Sequence, residues 1–443
     1  MKAEREPADE VGGGATVPDA AREATGTAAA GACHGDWFHA LAGLLAGAAV
    51  LSSAVHFWPF HDSMLWQAMC PFNLACVICL AWLAFRAWNA VTRPEGQDTH
   101  PPLPHAGILA YVTICLLSAA FSDDLIRAVS FSGKLLLTFV GGYALFCEVI
   151  ATRKSLQVMR GMATAAVVLA ISYSLVQRFT VGPGHFGFFH DSAPKYGTYL
   201  GILVPLCGAY LLLGPGWRRP AGAALVAGAL LSAGSLGALA AVSASLLALA
   251  LAVRESTVRF WVLGAITAGL VGCYALNADK AGSLYRDVRL TEADGANLKQ
   301  RYIEWQAAIN ILEDRAMMGT GAGCINEQRS KYFFRLPKLN TLAAFDQNGW
   351  LTTGAEIGVL GLACLCWAVG HYFKIAWHQG QILRESAGTR AVRLRASNLA
   401  GLTGACIAGL FSSVQYNGIL IVFVLVLALT AKTDLLVQED RTW

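Results

Sequence analysis

Apolar runs long enough to cross a bilayer alternate with short polar joints along this chain, until one long polar insert breaks the rhythm. The first stretch, Met1 to about Gly35, is rich in Ala, Gly and charge, lacks the apolar core of a signal peptide, and predicts a disordered tail. Apolar runs follow at Trp37 to Trp58, Met69 to Trp88, His105 to Phe121 and Leu125 to Ile150. Each is near the ~20 residues that a spanning helix needs. Further runs cover Val158 to Val176, Tyr196 to Leu213, Ala221 to Ala233, Leu236 to Val253 and Trp261 to Leu276. The small residues SAGSLG separate the seventh from the eighth, which read either as two spans or as one kinked hairpin. Beyond the insert come Trp350 to Phe373, Leu399 to Phe411 and Gly418 to Leu435. The pattern predicts an all-α integral membrane protein of about twelve transmembrane helices. Residues 36–276 hold the first nine, 277–345 form a partly helical loop, 346–436 hold the last three, and 437–443 make a short tail.

Inside the insert the period changes. Leu298, Tyr302, Trp305, Ile309 and Leu312 fall at steps of four, three, four and three, so they stack on one face and predict an amphipathic helix. Arg301 stands at the edge of that stripe, with Glu304 and Trp305 three and four positions on. Gly319, Gly321 and Gly323 end the helical pattern in a turn, and FDQNGWLTTGAEIGVLGL leads the chain back into apolar sequence.

Composition sharpens this picture. With 55% hydrophobic and 14% charged residues, and a mean hydropathy of +0.49, the chain has the bilayer as its main solvent. A net charge of +4 is what positive cytoplasmic loops produce, and no basic run is dense enough to suggest nucleic acid. Most of the twelve cysteines sit within apolar runs, where a thiol behaves as a small hydrophobe. Cys76 and Cys79 spell CVIC but lie mid-span with no second pair nearby, so neither metal nor disulfide is expected. Cys324, alone in the large polar loop, reads as a free thiol.

Orientation follows from the short loops. Arg86 and Arg93, then Arg153, Lys154 and Arg160, then Arg218 and Arg219, then Arg254 and Arg259, then Lys374, Arg384, Arg390, Arg393 and Arg395 fall in alternate loops, whereas HDSM, SDD and VQYN are nearly bare. Both termini are therefore expected in the cytoplasm and the insert outside, which in a Gram-negative cell is the periplasm.

Cations on the outer side need a reason other than orientation. Arg178, His185, His190, Asp191, Lys195, Arg286, Arg289, Lys299, Arg301, Arg315, Arg329, Lys331, Arg335 and Lys338 gather there, with acidic residues among them, and most suit a solvated loop face. Arg301 is the candidate with chemistry. A guanidinium presents a planar fork to phosphate oxygens and stays charged at any working pH, which suits a clamp on a departing diphosphate. Its structural alternative is an ion pair with Glu304. Lys134 and Arg127 are seven apart in the fourth span, hence on one face, where they either line a cavity or snorkel to an interface.

Three stretches together resemble the O-antigen ligase and O-antigen polymerase superfamily of membrane glycosyltransferases. RYIEWQAAINILEDRAMMGTGAGC looks like that family's Arg, aromatic, Ala-rich helix with its Gly turn, and FDQNGWLTTGAEIGVLGL like its Asn, apolar helix start, Glu and Gly-Leu pattern. More weakly, FGFFHDSAPKYGTYLGILVPL and SAGSLGALAAVSASLLAL resemble a mid-chain span and the small-residue helix after it. The likeness covers Gly187 to Leu362. It implies metal-independent, cofactor-free transfer of a glycan from undecaprenyl diphosphate to an acceptor hydroxyl, on lipid A core for a ligase or on a growing glycan for a polymerase. It also implies a bacterial inner-membrane protein working on the periplasmic face. By position Arg301 matches the family arginine that binds the diphosphate, and Lys195 is similar in place to a second basic residue; Lys134 and Arg127 are candidates for the same path. Where many members have a histidine before the Asn, this chain has Gln347, which orients a hydroxyl but takes no proton at neutral pH. Asp346, Glu356, or His190 with Asp191 are the alternatives for a base. A multi-span transporter is the rival reading, against which stand the lack of a second segment like 297–356 and the few ionisable residues within spans.

Overall fold

The computed structural model describes residues 76, 104–150, 153–180, 193–233, 235–253, 255–276, 296–328, 331–332, 348–382, 390–412 and 417–439, all within the unit Ala42–Trp443. The expected N-terminal tail, the first two spans apart from Cys76, and most of the polar insert outside 296–328 lie beyond the described residues.

What is described is helical, with no strand among the described residues. In chain order the helices are α1 (Ala106–Ala119), α2 (Leu125–Leu136), which runs through a π-helical turn (Leu137–Gly142) into α3 (Tyr143–Val149), then α4 (Arg153–Thr180) and α5 (Ala193–Leu212). They continue as α6 (Arg218–Ser232), α7 (Leu236–Ala252), α8 (Ser256–Leu276), α9 (Ala296–Asp314), α10 (Gly349–Ile382), α11 (Arg390–Gly409) and α12 (Asn417–Glu439). The joint at SAGSLG separates two helices: Ala233 leaves α6 in an extended conformation, and the Ser235 hydroxyl caps α7 by accepting from the N–H of Ala238 at 3.3 Å.

Four helices among the described residues are long and apolar enough to cross a membrane: Leu125–Val149, Ser155–Gln177, Ser256–Ala275 and Gly349–Trp377. Their outer faces are apolar and uncovered. Val158, Val168, Leu169, Val176 and Phe179 on α4 and Phe260, Leu263, Val271 and Tyr274 on α8 are exposed, as helices solvated by lipid require.

α5 sits at the centre and packs against α11, α7 and α6. Small residues permit that approach, since a Cβ at position 404 of α11 would fall on the carbonyl of Gly201 in α5. Arg160 departs from the sequence reading. It counts there among loop charges that set orientation, yet it is 6% exposed inside the bundle. Its Nη1 donates to Ser397 Oγ at 2.7 Å and its Nη2 to Asn398 Oδ1 at 2.8 Å, while Asn398 Nδ2 donates to Thr433 Oγ1 at 2.9 Å. Arg395, another residue of that count, is also buried. A guanidinium whose donors meet hydroxyl, amide and carbonyl oxygens is tolerated among helices where an ammonium in lipid is not.

Contacts sort the connections into two ends. At one, Arg219 in the first turn of α6 pairs with Glu255 before α8 at 2.5 Å, which places two of the Arg-bearing joints together. At the other, the 120–124 joint meets the end of α9, as described next.

Candidate functional site

α9 forms where the sequence predicts it, and it packs by the face beside the bulky stripe. Ile303, Glu304, Ala307, Ala308 and Ile311 are buried, while Tyr302 is 65%, Trp305 37% and Ile309 38% exposed. Tyr302, Trp305 and Ile309 of the stripe thus point outward, while Leu312 meets Gly354 of α10. The reason is steric, because Ala307 and Ala308 let the backbone of α9 approach α10 closely in a way Tyr and Trp would prevent.

After α9 the chain turns back on itself and docks into a break in α10. In an unbroken helix the N–H of Val359 would bond to the carbonyl of Ala355, and that of Leu360 to Glu356. Gly358, with φ 77 and ψ −179, interrupts this ladder. The freed groups find partners in the turn: Thr320 N–H donates to Ala355 O at 3.0 Å, Gly321 N–H to Glu356 O at 2.8 Å, and Val359 N–H to Ala316 O at 2.8 Å. Backbone left open within an apolar segment must be satisfied by protein, so turn and break require each other. Gly319 has φ 65 and lies so close that any Cβ would strike the backbone of Glu356.

The joint between α1 and α2, nearly bare in sequence as SDD, holds the turn from the other side. Arg315 Nη2 donates to both carboxylate oxygens of Asp123, at 3.3 and 3.4 Å, and Gln328 Nε2 donates to Asp123 Oδ2. Ser122 Oγ lies 3.2 Å from Cys324 Sγ. Burial pushes the Cys324 thiol above its ordinary pKa, so it stays protonated and unreactive. Asp124 caps α2 by accepting from Arg127 N–H at 3.0 Å, and Arg127 Nε donates to Gly323 O at 3.1 Å. Asp123→Ala removes two of these ties and is expected to cost about 1 kcal/mol. The check is a melting curve in detergent, where a drop of about 2–4 °C is expected and Asp123→Asn, which still accepts from Arg315, drops less.

The predicted site residues distribute unevenly. Glu356, 4% exposed, is buried at the break in α10, and Arg127 is tied to Gly323 O in the turn that docks there. Arg301 belongs to α9, and helical register puts position 301 at the flank between its packed and exposed faces. Glu304 is buried on the packed face. Lys134 is half-buried, its Nζ 5.5 Å from the centre of the Phe131 ring, and Lys195 is half-buried in the first turn of α5. His190, Asp346 and Gln347 lie outside the described residues. An apolar cavity of about 30 Å³, lined by Tyr111, Phe139, Trp350, Thr353, Leu420 and Phe423, lies below the start of α10. It has room for a single water, not for a sugar. Asp123 and Gln328 escape sequence reasoning, and Arg315 enters it only among cations suited to a solvated loop face. The signal available was a pair of acids in an otherwise bare outer joint.

Residues 221–366 match a family model described as O-antigen ligase. That range runs from α6 to the middle of α10 and so contains α9, the turn, the break and Glu356. Comparison with curated proteins gave no match.

Proposed function

We propose, because residues 221–366 match a family model described as O-antigen ligase, that this chain transfers a glycan from undecaprenyl diphosphate to an acceptor hydroxyl at the periplasmic face of the bacterial inner membrane. The acceptor in this reading is lipid A core, which makes the protein a ligase of lipopolysaccharide maturation. The chain would cross the membrane about twelve times, with both termini cytoplasmic and the 277–345 loop periplasmic. The observation that carries the proposal is the matched unit itself: α9 with Arg301, its turn, and the α10 break, brought against Arg127 at one end of an apolar bundle.

The chemistry asks for such a place. A polyprenyl donor keeps its tail in lipid and its diphosphate at the surface, so cations are needed where the bundle meets water. Arg301 and Arg127 would grip the diphosphate, with Lys134 and Lys195 along its approach. The acceptor oxygen attacks the anomeric carbon, the bond from that carbon to the phosphate oxygen breaks, and its electron pair leaves on undecaprenyl diphosphate. Arginine stabilises the charge that grows there. The hydroxyl proton passes to Asp346 or His190, with Gln347 orienting the hydroxyl. Glu356, buried at the break in α10, is a third candidate for that proton. The outward stripe of Tyr302, Trp305 and Ile309 suits a helix lying at headgroup depth.

Two experiments test this. Protein in nanodiscs given undecaprenyl diphosphate-linked glycan and lipid A core should release undecaprenyl diphosphate, and release should survive a chelator. Cells lacking the gene should carry core without glycan. Core bearing a single repeat would identify a polymerase instead, and solute accumulation in vesicles without diphosphate release would identify a transporter.

A further inference from the structure

We infer that His105 and His371 form a proton-sensitive latch between α1 and α10, and that charging it loosens the turn held at the far ends of these two helices. The two imidazole rings stack with centroids 3.8 Å apart and planes 15° from parallel. The backbone N–H of His105 donates to the Tyr372 hydroxyl at 3.4 Å, and Trp367 meets the His105 ring edge-on at 5.1 Å. The helices touch here, since a Cβ at position 107 would lie 2.9 Å from the backbone nitrogen of Ala368. Rings this nearly parallel have no common point within bonding distance toward which both could aim a nitrogen lone pair, so the stack is not built to hold a metal ion between them. What it is built to sense is a proton, because both rings are only half-buried and water reaches them.

Charging His105 acts on α1 in two ways. Its Nδ1 accepts the Gly107 N–H at 3.1 Å as the cap of α1, which leaves the proton of the neutral ring on Nε2. A proton added at Nδ1 turns this acceptor into a donor, ends the cap, and sets a positive charge at the positive end of the helix dipole. Charging His371 as well brings two cations face to face, with Lys374 one turn further along α10 as a third. Around the pair, Tyr372 lies beside His371 and Tyr143 of α3 behind Tyr372, while Glu148 of α3, Arg395 of α11 and Lys432 of α12 stand at the same end of the bundle. None of these residue types titrates in the ordinary range of imidazole, about 6.5. The effect reaches the turn because α1 runs unbroken from this cap to Ala119, about 21 Å, and the joint after it sets Ser122 against Cys324 and Asp123 against Arg315. α10 holds the same turn from the other side at Ala355, Glu356 and Val359. Two helices thus grip the turn, and the histidines tie their opposite ends.

The test is amide hydrogen exchange of the full chain in nanodiscs at about pH 7.5 and about pH 5.5, on either side of the imidazole range, with rates corrected for intrinsic exchange. On acidification, protection of Gly107, Ile108 and Leu109 should fall about tenfold or more, and that of Thr320 and Gly321 about threefold or more, while residues 199–204 in the middle of α5 keep theirs. His105→Asn, whose side-chain carbonyl caps the helix without titrating, should abolish both changes. His371→Phe, which keeps an aromatic ring in the stack but takes no proton, should reduce them, and it serves if His105→Asn does not fold. Equal protection of the parent at the two pH values overturns the latch, as does undiminished acid loosening in either variant. Loosening of α1 with the turn unchanged overturns the coupling between the two ends. A loss of protection that extends to α5 would mark general acid unfolding and overturn the inference as well.

Discussion

Gly358→Ala is expected to deprive the protein of its fold. With φ 77 and ψ −179 this residue occupies a region open essentially to glycine, and a side chain there costs about 1–3 kcal/mol in backbone strain. A Cβ would also fall on the carbonyl of Met317, which belongs to the docked turn rather than to a side chain that can swing away. To make room the turn must withdraw. Withdrawal breaks the bonds of Thr320 and Gly321 to α10 and of Val359 to Ala316, at 3.0, 2.8 and 2.8 Å, leaving buried backbone groups unpartnered at about 1–3 kcal/mol each. The sum exceeds about 4 kcal/mol, enough to remove most of the stability of a typical domain. Size-exclusion of a fluorescent fusion should show loss of the monodisperse peak, or a melting temperature lower by about 10 °C or more in whatever survives. Gly370→Ala in the same helix is the control, because a Cβ there meets nothing within 4 Å. If both variants behave like the parent, the helix is not broken at Gly358.

The largest effect on activity is expected at Arg301. Arg301→Ala should lower release of undecaprenyl diphosphate about 10³-fold, the scale on which removal of a group that stabilises a departing phosphate is felt. Arg301→Lys should recover only part of this, since an ammonium restores charge but not the bidentate fork. Neither variant should disturb folding, because helical register puts position 301 at the flank of the face formed by Ile303, Glu304, Ala307, Ala308 and Ile311. A melting curve unlike the parent's would make Arg301 structural, as an ion pair with Glu304 would. Full activity in Arg301→Ala would remove the arginine from the site altogether.

Much of the architecture was legible from hydropathy. The apolar runs from His105 onward each correspond to described helix, including the pair on either side of SAGSLG, because a helix in lipid must be apolar over its whole length and that property is local. The insert's helix was also legible, from Leu298 to Leu312. Its packed face was not. Periodicity shows that Tyr302, Trp305 and Ile309 are apolar and aligned, but in a membrane protein an aligned apolar face is as well served by lipid as by protein, so the stripe does not say which way it points. Arg160 failed for a related reason. Counting charge near helix ends assumes that each cation reaches water, whereas the hydroxyl of Ser397 and the amide of Asn398 take water's place.

The sequence by itself determined the solvent of this protein, the positions of its apolar helices among the described residues, the alternation of its basic joints, and the presence of a polar insert with an arginine-bearing helix and a Gly turn. All of these depend on residues within a few helical turns of one another. Only the tertiary structure decided that the turn plugs a break in α10, that Asp123 and Arg127 hold it from more than 190 positions away, and that Glu356 lies under it. Backbone groups released at Gly358 accept any well-placed partner, and which partner is near depends on how the helices pack, which no spacing along the chain encodes.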